Sequence, residues 1–161
     1  SLSSPRMRSI LLLFLIFVSV YAADFVYVTV RGRVSCKATV DGFTFLRKIK
    51  GAKIQIWDHD SGPDDHVSEG HDGISDERGL FTVEGKEDEN KPDFYVYILF
   101  PCSEADKCDQ QKYKDDCKGE EYYEVVADRK LKIPSSFHYK NENDKKVYPV
   151  DFRLGEEGGR D

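Results

Sequence analysis

The stretch that decides the fold reads Val26-Tyr27-Val28-Thr29-Val30-Arg31-Gly32-Arg33-Val34-Ser35-Cys36. Its even positions are apolar apart from the glycine, and its odd positions are mostly polar. Successive side chains of a β-strand point to opposite faces, so this period of two predicts a half-buried strand with its valines inward. Gly32 indicates either a bulge or the close approach of another backbone segment. Cys36 falls on the predicted core face.

The first 22 residues have the three parts of a secretory signal peptide. Arginines flank Met7, an apolar run covers residues 10–20, and small residues precede a cleavage site after Ala22. Met7 is the expected start, which leaves residues 1–6 upstream of it. The apolar run is near half the roughly 20 residues that a membrane span needs, so export is favoured over a membrane anchor.

The rest of the chain is expected to be one acidic, extracellular domain. A β-sandwich is predicted for residues 23–154 and a disordered, charged tail for residues 155–161. Removal of residues 1–22 would delete two arginines and no acidic residue, which takes the formal net charge from −6 to −8. This charge argues against nucleic acid as a partner, because phosphate contact needs a basic face.

Four cysteines in an exported chain predict two disulfides. They are Cys36, Cys102, Cys108 and Cys117. Spacing alone leaves three connectivities open. Cys36 and Cys102 each continue the apolar face of a predicted strand, which favours that pair, with Cys108–Cys117 closing a local loop. The spacing lacks the tight pairs of a zinc site, and no cysteine is left as a thiol nucleophile.

Short strands separated by turn signals predict an all-β sandwich without a long amphipathic helix. Further strands are predicted at residues 52–57, 80–83, 93–102, 122–126, 131–133 and 148–154, with turns at 41–42 and 76–79. Ser103 and Asp106 resemble a capping box that would start one short helix. Pro149 cannot donate to a ladder, so the last strand is expected at a sheet edge.

The strand within residues 93–102 is apolar on both faces. One face carries Phe94, Val96, Ile98 and Phe100, and the other carries Tyr95, Tyr97 and Leu99. Such a strand is either a central one covered by a loop or helix, or one whose outer face meets a partner. The first reading is favoured, and the second keeps Tyr95 and Tyr97 as candidate partner-binding residues.

Several pieces of the sequence, taken in order, resemble a known family. They are residues 30–36, Gly51-Ala52-Lys53-Ile54-Gln55-Ile56-Trp57-Asp58, the loop holding Asp64-Asp65, Asp76-Glu77-Arg78-Gly79-Leu80-Phe81, Gly85, the apolar strand ending at Cys102, and Ile133-Pro134 followed by Phe137. The chain resembles the nematode transthyretin-like family of secreted proteins. The resemblance implies a transthyretin-like (prealbumin-like) Greek-key β-sandwich.

The resemblance also implies a non-enzymatic binding protein with no cofactor. Distant enzymatic relatives hydrolyse 5-hydroxyisourate with histidines, an arginine and a C-terminal Tyr-Arg-Gly-Ser signature, where this chain has Phe152-Arg153-Leu154-Gly155. His59, His66 and His71 fall in one loop region, but no neighbouring group is visible that would hold a general base. Hydrolysis of 5-hydroxyisourate is therefore the less favoured alternative.

The acidic loop is the candidate metal site of the sequence. Asp58, Asp60, Asp64 and Asp65 offer oxygen ligands that calcium accepts. His59 and His66 would instead suit zinc together with a carboxylate. A solvated acidic turn without metal is favoured over both.

The resemblance implies a carrier or adaptor whose partner is a lipophilic ligand, a phospholipid headgroup or a cell-surface protein. A family member that bridges phosphatidylserine to engulfing cells makes headgroup binding the more concrete version. Arg31, Arg33 and Lys53 lie on predicted outward faces and would form a basic patch with Lys48 and Lys50, although ordinary surface charge is favoured. A parasite protein that binds a host protein is a further alternative, and the oligomeric state is left open.

Overall fold

The computed structural model of the protein describes residues 24–124 and 131–154. These residues form two β-sheets that pack face to face around one apolar core. The predicted all-β sandwich is therefore confirmed. The expected signal peptide and the expected disordered tail lie outside the described residues, as does the end of the strand predicted at 122–126.

The described strands are short except for the first. Their bounds are β1 Val26–Val40, β2 Phe43–Lys48, β3 Lys53–Asp58, β4 Asp65–His66, β5 Gly73–Ile74, β6 Leu80–Glu87, β7 Phe94–Pro101, β8 Tyr122–Glu124, β9 Leu131–Lys132 and β10 Val147–Leu154. One α-helix, α1, covers Gln111–Asp116, and 3₁₀ turns cover Cys102–Lys107, Ser135–Phe137 and Glu142–Asp144. The predicted capping box is wrong, because Pro101 precedes the first 3₁₀ turn and no side chain caps it.

Strand β1 is the centre of the first sheet. β10 pairs with it in parallel along one edge, from Thr29 to Cys36. On the other edge, β6 pairs with residues 26–33 and β2 with residues 35–40, both antiparallel. The second sheet has β3 and β7 at its centre, with β4 and β5 beside β3 and with β8 and β9 beside β7. The predicted edge position of the strand containing Pro149 is confirmed, since β10 pairs only with β1 among the described strands.

The even-numbered side chains of β1 point into the core, as the alternation predicts. Val28, Val30 and Val34 are fully buried, and each contributes about 1.5–3 kcal/mol relative to an exposed side chain. Strands β3 and β7 face them with Ile54, Ile56, Phe94, Val96, Ile98 and Phe100. The outward-facing Thr29 is nonetheless buried, because Tyr139 covers it and its hydroxyl lies 2.8 Å from the Tyr139 hydroxyl.

Gly32 marks the closest backbone approach between β1 and a neighbouring strand. A Cβ atom at this position would overlap the carbonyl oxygen of Val150 in β10. The sequence left a bulge or a close approach open, and the structure shows the close approach. Only a residue without a side chain lets β10 pair with β1 in this register.

The turn at residues 76–79 has the conformation that the sequence predicts. One carboxylate oxygen of Asp76 accepts hydrogen bonds from the amides of Arg78 (2.8 Å) and Leu80 (2.9 Å). Gly79 supplies the positive φ, at 73°. Such side-chain-to-backbone bonds are what favours Asp at the start of a turn, and this one leads the chain into β6.

Two disulfides are present, but the predicted pairing is wrong. Cys36 is bonded to Cys108, and Cys102 is bonded to Cys117. The prediction extended the inward face of β7 to Cys102, whereas β7 ends at Pro101 and Cys102 begins a 3₁₀ turn. That turn carries the chain across to the first sheet, where Cys108 reaches the buried Cys36.

A tryptic digest of the unreduced protein tests this pairing, because trypsin separates all four cysteines. We expect residues 34–37 linked to residues 108–112, and residues 87–107 linked to residues 115–118. Mass spectrometry identifies each linked pair before and after reduction. A species joining residues 34–37 to residues 87–107 would contradict the structure.

Substitution of Gly32 tests the contact between β1 and β10. Gly32→Ala should lower the free energy of unfolding by about 2–3 kcal/mol, because the added methyl group displaces the β10 backbone. Gly62→Ala is the control, since a Cβ atom there meets nothing within 4 Å, and it should change stability by less than about 0.5 kcal/mol. Urea unfolding measures both. Equal stability of the two variants would rule out the close approach.

Candidate binding surfaces

A β-hairpin extends the first sheet beyond the core. β1 and β2 are joined by Asp41 and Gly42, whose φ angles of 51° and 81° are those of the two-residue hairpin turn that Asp-Gly favours. The pairing of β1 with β6 ends at Arg33, and the described pairing with β10 extends to Cys36. The last residues of β1 are therefore paired with β2 alone among the described strands.

The apolar face of this hairpin lies outside the sandwich. Val40 is opposite Phe43 and Ala38 is opposite Phe45, so these side chains continue the inward face of β1. Val40 is 55% exposed, Phe43 77% and Phe45 44%, whereas Cys36 on the same face is fully buried. We call Val40, Phe43 and Phe45 the overhang. It is an exposed cluster of large apolar side chains, which commonly marks a docking surface.

Cationic side chains lie at the base of the hairpin. Lys37 and Lys48 are exposed on β1 and β2, and Arg47 lies 3.7 Å from Glu104. The only acidic residue of the hairpin is Asp41 in its turn. The hairpin is thus locally basic, in contrast to the acidic chain as a whole.

The segment that follows β7 braces the hairpin. The Asp109 amide donates to the Lys37 carbonyl oxygen at 2.9 Å, and the Asp109 carboxylate accepts from the amide (2.8 Å) and hydroxyl (2.7 Å) of Thr39. The neighbouring Cys108 is bonded to Cys36. An isolated two-stranded hairpin is only marginally stable, so these bonds hold the overhang in a fixed position.

The outer face of the second sheet carries a group of aromatic side chains, here called the aromatic face: Trp57, His66, Tyr95 and Tyr97. Trp57 stacks on His66 with ring centroids 4.8 Å apart, and the Tyr97 ring meets Trp57 edge-on at 6.2 Å. The Tyr95 hydroxyl donates to Asp64 at 2.7 Å. The pKa of Tyr95 is raised above its usual range, mainly by burial and to a lesser extent by the hydrogen bond to Asp64.

The loop after β3 thus covers half of this face. Tyr95 is buried beneath it, while Tyr97 and Leu99 remain half-buried. β7 lies between β3 on one side and β8 and β9 on the other, so its predicted central position is confirmed, and its outer face is covered at Tyr95. Whether Tyr95 and Tyr97 meet a partner stays a prediction.

Asp72 fixes His66 against Trp57. Its Oδ1 accepts from His66 Nε2 at 2.8 Å and from Ser68 at 3.0 Å, and its Oδ2 accepts from Gln55 at 2.9 Å. Burial alone would raise the pKa of Asp72, but the hydrogen bonds from Gln55, His66 and Ser68 together lower it. Because His66 Nε2 donates to a carboxylate, that nitrogen is not a base for the Ser68 hydroxyl. These hydrogen bonds hold the His66 ring in its stacked position on Trp57.

The structure divides the predicted partner residues between opposite faces of the sandwich. Arg31 and Arg33 lie exposed on the outer face of the first sheet. Lys53 lies on the aromatic face, with its ammonium 4.9 Å from the centre of the Tyr122 ring. Of the other predicted cations, Lys50 pairs with Glu77 at 3.0 Å and Lys48 lies in the hairpin. These residues do not form one continuous patch.

The four predicted metal-binding aspartates also separate. Asp58 and Asp60 lie together with Glu89, which is not one of the predicted ligands. Asp64 contacts Tyr95 and His59, and Asp65 is exposed on β4. His59 and His66 bond different carboxylates, so they do not converge as zinc ligands would.

Comparison with known proteins gives the class of the sandwich. Residues 31–120 match the model of the transthyretin-like family. This match covers more than half of the chain, which therefore belongs to the transthyretin-like family. A search of the curated proteins finds no match. The nematode origin in the sequence analysis stays a prediction.

Substitution of Asp72 tests the order of the aromatic face. Asp72→Asn should lower the free energy of unfolding by about 1–3 kcal/mol at pH 7, since charge-assisted hydrogen bonds are lost. The folded-state pKa lies below the ordinary value of 3.8, so this stabilisation is present above that value and is lost as the pH falls through the folded-state pKa.

Urea unfolding of both proteins from pH 7 to pH 3 measures the difference, with the exposed Glu69→Gln as the control. The gap between wild type and Asp72→Asn should narrow as the pH falls. A gap of the same size at pH 3 would show that Asp72 acts by packing and not by charge.

Proposed function

We propose that the chain is a secreted, extracellular, non-enzymatic adaptor that attaches to a phospholipid headgroup surface through the overhang. The observation that carries this function is the exposure of Val40, Phe43 and Phe45 on a braced hairpin. Their side chains have the size and exposure to enter the boundary between headgroups and acyl chains. Membership in the transthyretin-like family supports a binding role in general terms.

Two favourable contributions would act at the hairpin. Full burial of a Val or Phe side chain contributes about 1.5–3 kcal/mol, and each lysine near an anionic membrane about 1 kcal/mol. Lys37 and Lys48 would supply the second contribution from the base of the hairpin, although their side chains lie on the face opposite to the overhang. The acidic remainder of the chain opposes anionic lipid, so attachment is expected to be weak, reversible and sensitive to salt.

A surface site is favoured over an internal ligand cavity. The space between the sheets is filled by packed apolar side chains, among them Phe94 and Phe100, which are fully buried. Two surface grooves of about 460 and 430 Å³ have charged side chains in their linings, including Lys50, Glu104 and Glu142. Neither lining suits a lipophilic molecule, so a carrier role for such a ligand has less support.

Secretion and the lack of enzymatic activity rest on separate observations. Two disulfides fit an oxidising compartment, and the predicted signal peptide would direct export. In the described ranges, no helix has the length and hydrophobicity to cross a bilayer. His59 and His66 are each bonded to a carboxylate of their own, which is not the arrangement of a shared reaction centre. The alternatives are a 5-hydroxyisourate hydrolase and a parasite protein that binds a host protein.

Vesicle flotation tests the proposed function. The oxidised protein is mixed with vesicles of phosphatidylcholine alone, or of phosphatidylcholine with phosphatidylserine. We expect flotation with the anionic vesicles and a loss of flotation as salt is raised. Phe43→Ser should weaken attachment about tenfold, because the most exposed side chain of the overhang is removed.

Ile74→Ser is the matched control, because Ile74 is 54% exposed but lies on β5, outside the hairpin. It should float as the wild type does. Equal losses in both variants, or no flotation of the wild type with any anionic vesicle, would remove the lipid proposal. If the protein does not float with vesicles but binds a cell-surface protein, and Phe43→Ser abolishes that binding, a protein partner is favoured over a lipid.

A further inference from the structure

Three carboxylates from two loops converge at one end of the second sheet. Asp58 ends β3, Asp60 follows it by two residues, and Glu89 comes from the loop between β6 and β7. One carboxylate oxygen from each residue lies within 4.8 Å of those of the other two. The overhang lies on the other sheet, so this cluster is separate from the surface that carries the proposed function.

Asp58 is the buried member of the cluster. The residue is 1% exposed, and its Oδ1 accepts from the Asp93 amide at 2.5 Å. Its Oδ2 is also buried and accepts no hydrogen bond. The nearby His59 amide donates to the Asp93 carbonyl oxygen at 3.2 Å. An ionised carboxylate buried with one oxygen unsatisfied is costly unless a cation or donor completes it.

The charges around Asp58 are all of one sign. Asp60 and Glu89 bring two further carboxylates close to the carboxylate of Asp58. Within residues 24–124 and 131–154, no lysine, arginine or histidine forms an ion pair with any member of the cluster. Three carboxylates thus lie close together, and the buried one has an oxygen without a hydrogen bond.

We propose that Asp58, Asp60 and Glu89 form a calcium-binding site. Oxygen ligands alone select a hard cation, and calcium accepts the irregular geometry of two loops, with water completing its six to eight ligands. Extracellular calcium sites of this kind have dissociation constants of about 10⁻⁴–10⁻³ M. The site would tie the loop after β3, which also holds Tyr95 through Asp64, to the loop between β6 and β7.

Calorimetric titration of calcium chloride into the chelator-treated, oxidised protein tests the site. We expect one saturable event per chain and a rise of Tm with calcium. Glu89→Gln removes an exposed ligand that no fold contact depends on, and it should weaken calcium binding at least about tenfold. Asp65→Asn makes the same change of charge in the acidic loop but outside the cluster, so its affinity should stay within about twofold of wild type.

Asp58→Asn gives a second, opposite readout. Without calcium it should raise Tm, because a neutral amide replaces a buried carboxylate that has one oxygen without a hydrogen bond. With calcium it should show no further rise. If this variant does not fold, Glu89→Gln and Asp65→Asn still decide the outcome.

Two results would overturn the site. One is the absence of any saturable heat or Tm rise in the wild type up to about 10 mM calcium. The other is an equal loss of affinity in Asp65→Asn and Glu89→Gln, which would indicate diffuse attraction to an acidic surface. Either result leaves the vesicle-binding proposal standing, because the hairpin contains none of the three carboxylates.

Discussion

The alternation of β1 is the constraint on which the rest of the structure depends. Over 15 residues the strand keeps one apolar face, and it pairs with three neighbours, β10, β6 and β2. The inner half of that face meets the second sheet and forms the core. The end of that face extends past the core, so the same alternation that buries Val34 exposes Val40. Core and overhang are two ends of one surface.

The segment from Cys102 to Cys117 connects the two sheets around this strand. It leaves the second sheet at the end of β7, bonds β1 through Cys108, and returns to Cys102 through Cys117. On the chain-entropy model, the loop closed by Cys36–Cys108 contributes about 4 kcal/mol to stability and the shorter loop closed by Cys102–Cys117 contributes about 3 kcal/mol. The bonds therefore stabilise the sandwich and also fix the angle at which the hairpin leaves it.

The sequence predicts the strands whose two faces differ in polarity. β3 and β10 lie within one residue of the predicted bounds, because one face of each is apolar and the other is polar. β7 is apolar on both faces and was predicted from its continuous apolar run. β2 was missed because all but one of its residues are exposed, which leaves no contrast between faces to detect. The available signal was Asp41-Gly42 followed by Phe43 and Phe45, since Asp-Gly between apolar residues favours a hairpin.

The candidate sites could be predicted only where they are local in the sequence. Asp58 and Asp60 are neighbours and were found, whereas Glu89 reaches them through the pairing of β3 with β7. The disulfide pairing failed for the same reason, because it depends on where β7 ends and on the path that follows. Contacts between distant segments depend on which strands are adjacent, and the alternation of residues along one strand does not predict that.

Hydrogen exchange of the oxidised protein, with and without phosphatidylserine-containing vesicles, tests the central claim most directly. That claim is that the exposed end of the β1 face, together with Phe43 and Phe45 of β2, is the docking surface. It predicts new protection confined to residues 40–46, with the amides of β3 and β7 unchanged. Protection of β3 and β7 beneath Trp57 and Tyr97, with none in the hairpin, would contradict it and assign docking to the aromatic face.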